Sequence, residues 1–331
     1  MQISQSIKRL SSIGYLIHNT DMLTPQSQAK QLSRALGLNT ELYLKREDLH
    51  IYGSHKGRSI PIMITKYIQL GKTEFCISSS GNAAISAAIF INEYNAKHKT
   101  SQLSLKIFAG NNIDEEKFKV IKKLCNKSVS AQRTSNPKQS AFQMDKEGLA
   151  TNLRQSTDDI ALSGYAGLAK ELAEIKNLCA VFIPTSSGTT AQALHEEFKK
   201  IFQRRVSTDV TRHDFVKSNP QIHIVQTEFC HPIAEAYHLF PIKSTSSPSI
   251  AGAIVDNIAH RKEKVVEAIK TSKGNAWVCG NKEIETAIAL IKKTEKIVSS
   301  PNSALAVAGL THAIKNKRRF NGPVVCILTG R

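Results

Sequence analysis

The 331-residue sequence contains no apolar run of membrane-spanning length; its longest candidates are short, strand-like stretches such as Val324–Leu328. The polar residues Met1–Leu10 lack an apolar stretch followed by a small-residue cleavage site, so no secretory leader is expected and the cytoplasm is the expected compartment. Cysteine is sparse and scattered, at Cys76, Cys125, Cys179, Cys230, Cys279 and Cys326. No two stand at metal-finger spacing and several lie in apolar runs, which favours buried free thiols over disulfides and gives no reason to expect a metal. Low-complexity tracts and short-period repeats are absent, and the Ser/Pro-rich Lys243–Ser249 reads as a loop, not a linker between modules. Acidic residues are in short supply, 27 against 45 Lys and Arg, leaving a formal charge of +18. Such an excess suits nucleic acid through counterion release, but the basic residues are spread along the chain, with short clusters at Lys199–Arg205 and Lys315–Arg319, and no nucleic-acid motif occurs. A solvated basic surface that helps to attract an anionic substrate or cofactor is expected instead.

What is present is an ordinary soluble balance, 41% hydrophobic and 22% charged, long enough for two domains or one large one. Strand-like and helix-like stretches alternate. Phe75–Ser78, Leu103–Ala109, Ala180–Ile183, Ile222–Thr227, Ala276–Cys279 and Val324–Leu328 read as strands. Helical character is expected over Ser59–Leu70, Asn82–Ala96, Asp114–Leu124, Pro137–Asn152, Ala166–Leu178, Thr189–Phe202, Lys282–Lys293 and Ala304–Lys315. This βαβ rhythm predicts an α/β protein with mostly parallel sheet and helices on both faces.

In such sheets ligands bind beyond the carboxyl ends of the strands. Three ends carry unusual loops. Ser78-Ser79-Ser80-Gly81-Asn82 places small hydroxyl residues and a glycine at a helix start, where backbone N–H groups hold a carboxylate or phosphate. Pro184-Thr185-Ser186-Ser187-Gly188-Thr189-Thr190 offers the same donors, and phosphate is its expected guest. Leu328-Thr329-Gly330-Arg331 ends an apolar strand and alone says little. Beside these stands Gly53-Ser54-His55-Lys56-Gly57-Arg58, a lysine framed by glycines just before a helical stretch. A positive helix end lowers an ammonium pKa, as a Schiff-base lysine requires. His55 is as suited to packing as to tuning that amine, and Trp277 is read as core.

Together these segments resemble the tryptophan-synthase-β-like, fold-type II pyridoxal-phosphate enzymes, with the nearest likeness to threonine synthases and threonine or serine ammonia-lyases, over about Tyr43 to Arg331. The resemblance implies two domains, each an open mostly parallel sheet with helices on both faces and the cofactor in the cleft between them. It implies residues 1–160 bearing the Schiff-base lysine and a smaller mobile domain (about 72–160), then a larger 161–331 domain with the phosphate-binding loop. By the same resemblance Lys56 carries pyridoxal 5'-phosphate and is the catalytic residue, and Asn82 meets the cofactor's phenolic oxygen. Ser79, Ser80, Gly81 and Asn82 bind the substrate carboxylate; Ser186, Ser187, Gly188, Thr189 and Thr190 bind the phosphate; Thr329 meets the pyridine nitrogen. Ser249–Ile254 and Pro301–Ala306 resemble later threonine-synthase-like segments. The implied activity is β- or γ-elimination or replacement on a small amino acid by a cytoplasmic homodimer, with cysteine-synthase-like β-replacement or a catalytically degenerate cofactor-binding relative as the alternatives. Three departures stand out: Gly57 where the family usually has Asp, Ser300 where many relatives have Glu, and a chain that stops at Arg331 directly after the L-T-G block. A nucleotide- or phosphosugar-binding α/β protein is the rival from another class, and it would have no need of Lys56.

Overall fold

The structure, a computed structural model, describes residues 23–79, 81–111, 113, 115–208 and 219–331. In chain order the strands are β1 (Gln26–Gln28), β2 (Leu42–Arg46), β3 (Glu74–Ser78), β4 (Ser104–Gly110), β5 (Val129–Thr134), β6 (Thr151–Asn152), β7 (Ala180–Pro184), β8 (Gln221–Thr227), β9 (Asn275–Cys279) and β10 (Val324–Leu328). They fall into two compact units, one containing His50–Gly164 and the other Leu23–Leu49 with Tyr165–Arg331. A division at 160/161 would have put residues 23–49 in the first region; they lie in the second because β2 pairs with β10 there.

The first unit is built on a parallel sheet of order β5-β4-β3-β6. The Lys56–Gln69 and Asn82–Lys97 helices pack together on it. Ile60, Met63, Ile64, Ala84, Ala87, Ala88 and Ile91 recur at helical spacing and meet Phe75 and Ile77 of β3 in one apolar cluster. The opposite face is covered by the Pro137–Lys146 helix, whose Ala141 packs with Cys76 and Phe108. This helix is shorter than the expected Pro137–Asn152. Gly148 takes a left-handed turn (φ +71°), and Thr151–Asn152 then joins the sheet beside Phe75–Cys76. The Ala166 helix likewise stops at Ala173, short of the expected Leu178.

The second unit holds a sheet of order β1-β2-β10-β7-β8-β9, parallel except for β1 against β2. Helices cover both faces, so β7 (AVFIP) and β10 (VVCIL) are buried throughout and read as unbroken apolar runs. The Pro301–Lys315 helix lies in this core, buried from Ser303 to Leu310, and Trp277 is buried as well. The charged run Lys45–Asp48 belongs to the architecture. Lys45 is buried and paired with Glu171, its ammonium also donating to the Thr24 carbonyl at 2.8 Å; the Thr24 hydroxyl donates to Glu47 Oε1 at 2.5 Å.

Cysteines 76, 230, 279 and 326 are free and buried, and Cys125 and Cys179 are free and half-buried. Among the described residues, no helix is long and apolar enough to cross a membrane.

Candidate functional site

Lys56 is the first residue of its helix, and the turn ahead of it is shaped for that start. Gly53 takes φ +75°, the Ser54 hydroxyl accepts from the Lys56 amide at 3.3 Å, and the Ser54 carbonyl accepts from the Gly57 amide at 3.0 Å. Behind the lysine, Gly57 runs so close to His50 and Tyr52 that no side chain fits there. Farther along, the Ser59 hydroxyl donates to the Ala161 carbonyl (3.0 Å) and accepts from Gln155 Nε2 (2.7 Å), so the start of the helix is fixed to the end of the unit. Burial lowers the Lys56 ammonium pKa from 10.5 to about 8. A lysine held like this has a substantial neutral, nucleophilic fraction at mildly alkaline pH.

In the same unit β3 runs into the second loop. The Ser79 amide donates to the Phe108 carbonyl at 3.2 Å, and the Ser79 hydroxyl accepts from the Gly81 amide at 3.3 Å. Gly81 then lies extended, and Asn82 opens the Asn82–Lys97 helix with its side chain half-buried. The first amides of that helix have no partner within it, which suits an anion such as a carboxylate. Ser80 lies outside the described residues.

In the second unit the hydroxyl-rich turn follows β7. Thr185 is tied down by its amide to the Val225 carbonyl (2.9 Å) and by its hydroxyl to the Ile183 carbonyl (2.8 Å). The Ser186 hydroxyl accepts from the amides of Val255 and Asp256, each at 3.2 Å, and so joins the turn to the segment after Ser249–Ile254. The hydroxyls of Ser187 and Thr189 face each other at 3.0 Å, and Thr189 and Thr190 are buried. Gly188 adopts φ +91°, and a Cβ there would stand 2.6 Å from Val265 Cγ2. The turn ends on the Thr189–Thr208 helix, so its amides gather at a positive helix end. Sequence reasoning missed buried Arg261, whose Nη1 donates to Gln192 Oε1 (3.1 Å) and whose Cβ lies 3.5 Å from the place of a Gly188 Cβ. No local signal marks a residue so distant in sequence.

Thr329 follows β10, the parallel neighbour of β7, so it emerges at the same end of this sheet as the hydroxyl-rich turn, and it is buried. The Gly330 carbonyl accepts from both Ser300 and Ser303 hydroxyls, each at 2.6 Å, and the Gly330 amide donates to Ser303 Oγ at 3.0 Å. Ser300 also caps the Pro301–Lys315 helix, which explains a serine at that position. A cavity of about 320 Å³ opens here, lined by Asp48, Val298, Ser299, Ser300, Ser303, Gly330 and Arg331. Lys56 and the Ser79–Asn82 turn thus belong to the first unit, and the Ser186–Thr190 turn and Thr329 to the second.

Known proteins resemble this chain over most of its length. The family model described as pyridoxal-phosphate dependent enzyme matches residues 19–330. A threonine synthase of Methanocaldococcus jannaschii is 26% identical over 316 residues, spanning 93% of this chain and 74% of that protein. Among solved structures, the processed form of threonine deaminase isoform 2 from Solanum lycopersicum has a TM-score of 0.74 at 18% identity, covering 99% of this chain and 89% of that one. Maize serine racemase also has a TM-score of 0.74, at 15% identity, covering 97% and 92%. At these identities the likeness of the two solved structures is one of fold.

Proposed function

This chain belongs to the pyridoxal-phosphate-dependent enzymes, and we propose that it performs β- or γ-elimination or replacement on a small amino acid, with Lys56 as its cofactor-bearing and catalytic residue. The observation that carries this reading is the Lys56 amine, set on a braced helix start and brought to about 8 by burial. The donors suit three of the cofactor's polar groups. An amine of lowered pKa suits its aldehyde, the glycine-bent amide turn at Ser186–Thr190 suits its phosphate, and the neutral Thr329 hydroxyl suits its pyridine nitrogen.

When bound, pyridoxal phosphate supplies an electron sink for negative charge developing at the substrate's α-carbon. The chain's residues do the rest. Lys56 would hold the cofactor at its aldehyde carbon, and its amine, when neutral, would take the proton from the substrate's α-carbon. Ser79, Ser80, Gly81 and Asn82 would hold the substrate carboxylate, and Asn82 would also meet the cofactor's phenolic oxygen. Ser187, Gly188, Thr189 and Thr190 would present amides and hydroxyls to the phosphate, while Ser186 secures the turn from behind. Thr329 would meet the pyridine nitrogen as an uncharged partner, which would favour loss of a β- or γ-leaving group over transamination. The names of the similar proteins, threonine synthase and threonine deaminase, support the substrate class.

The test is spectroscopic. Protein supplied with the cofactor should be yellow, and Lys56→Ala should lose that absorbance while staying folded. Serine, threonine, O-phosphohomoserine and O-acetylserine should then be screened for a shift of the band. A wild-type protein that stays colourless with excess cofactor would end the proposal.

A further inference from the structure

Away from the residues assigned to cofactor and substrate, three different side-chain types converge within the second unit. Cys279 ends β9, Glu283 lies in the first turn of the Asn281–Glu295 helix, and His312 lies on the Pro301–Lys315 helix. One sulfur, one carboxylate oxygen and one imidazole nitrogen from these residues all lie within 4.8 Å of one another. We propose that Cys279, Glu283 and His312 form a binding site for one divalent transition-metal ion of the zinc class.

Four observations support it. The donor set joins a soft sulfur to an imidazole and a carboxylate, which suits zinc and not the all-oxygen preference of calcium or magnesium. His312 Nδ1 is buried without a hydrogen-bond partner, its nearest acidic atom being Glu283 Oε1 at 3.6 Å. Glu283 is already aimed, because its other oxygen, Oε2, accepts from the Gly280 amide at 2.9 Å and leaves Oε1 toward the imidazole. Helix capping accounts for that Oε2 contact; it gives no reason for a thiol and an imidazole nitrogen to meet at the same carboxylate. Finally, within a chain of net charge +18 two carboxylates, Glu283 and Glu228, are near enough to act on the Cys279 thiol, with Lys315 opposing them. Zinc bonds of about 2.0–2.3 Å require the three donors to close in on the ion, a movement that the half-exposed side chains of Glu283 and His312 can make. On binding, the thiol gives up its proton and the thiolate becomes the ligand. A water would complete a four-coordinate shell.

The inference is independent of the cofactor reading and is tested on the whole protein. Chelator-stripped protein dialysed against zinc and desalted should retain about one ion per chain, and cobalt in its place should give the thiolate-to-metal charge-transfer band of a cysteine-ligated ion. Cys279→Ser should abolish that band. His312→Gln, at a half-exposed position that leaves the core intact, should weaken cobalt binding about tenfold or more, with unchanged far-ultraviolet dichroism as the check on folding. Protein that holds no zinc or cobalt after desalting overturns the proposal. So does a thiolate band that persists in Cys279→Ser, or full-strength binding by folded His312→Gln.

Discussion

Gly57 passes so close beneath His50 that a Cβ at position 57 would stand 2.4 Å from the imidazole Nδ1 and 2.8 Å from Tyr52 Cβ. The glycine next to Lys56 is therefore a packing requirement of this chain, whatever its relatives carry there. Gly57→Ala should cost about 1–3 kcal/mol in urea unfolding, and Gly57→Asp no less. His50→Ala in the same chain should return part of the loss, because the imidazole contact is removed while the Tyr52 contact remains. An additive double variant would show that the ring is not the obstacle.

The Lys56 ammonium gives a second prediction. Its pKa is lowered from 10.5 to about 8 by burial, so the amine is mostly protonated below that value and mostly neutral above it. The rate at which cofactor-free protein recovers its colour on mixing with pyridoxal phosphate should rise about tenfold per pH unit up to about 8 and then level. Stopped-flow absorbance across this range decides the matter. A rate that climbs on toward pH 10.5 would describe a solvent-exposed lysine.

At Gly188 a left-handed backbone and a close neighbour coincide. Gly188→Ala should therefore strain the turn doubly, by about 1–3 kcal/mol for the backbone alone, and weaken cofactor retention by at least about tenfold in a fluorescence titration. Ser186→Ala should act differently. It leaves the amides of Val255 and Asp256 without their acceptor, costing about 1 kcal/mol of stability, and affects cofactor affinity less than Gly188→Ala.

His223 sets an acid limit. It is buried, stacked on Phe182 at 4.5 Å between ring centres, and its Nδ1 accepts from Trp277 Nε1 at 3.1 Å, so the proton resides on Nε2 facing Gln221. Burial, helped by the charge of Arg318, lowers its pKa from 6.5 to about 3. An unfolded chain binds a proton here below about 6.5 while the folded chain does not. Stability from this group is therefore fully present above 6.5 and falls as pH drops toward 3, by up to about 1.4 kcal/mol per pH unit. Urea titrations at successive pH values should show that slope flattened in His223→Gln.

The strands readable from sequence are those whose two faces are both covered, such as β7 and β10, because every residue in them is apolar. β5 escaped notice because it lies at the sheet edge, where only Val129 and Ala131 face inward and Ser130, Gln132 and Arg133 do not. β2 is hidden by its charges, since Lys45 is tolerated in the interior through partners such as Glu171, 126 residues away. The same division holds for the candidate site. Turns rich in glycine and hydroxyls after strands are local patterns, whereas the Ser300 and Ser303 clasp on Gly330, the Arg261–Gln192 contact and the meeting of Cys279, Glu283 and His312 each need partners that only the fold brings near.

Among the described strands β10 comes latest in the sequence, yet it lies between β2 and β7, both made well before it. A growing chain on the ribosome thus reaches residue 323 with two unfilled strand edges waiting for the same short peptide. By then every strand of the parallel sheet within His50–Gly164 has long been made. Losing even a few residues around Val324–Leu328, by premature termination or proteolysis, would remove an interior strand of the larger sheet and leave the described strands of the smaller sheet in place. Nascent fragments of that kind should be sticky at β2 and β7 while the His50–Gly164 sheet stays paired.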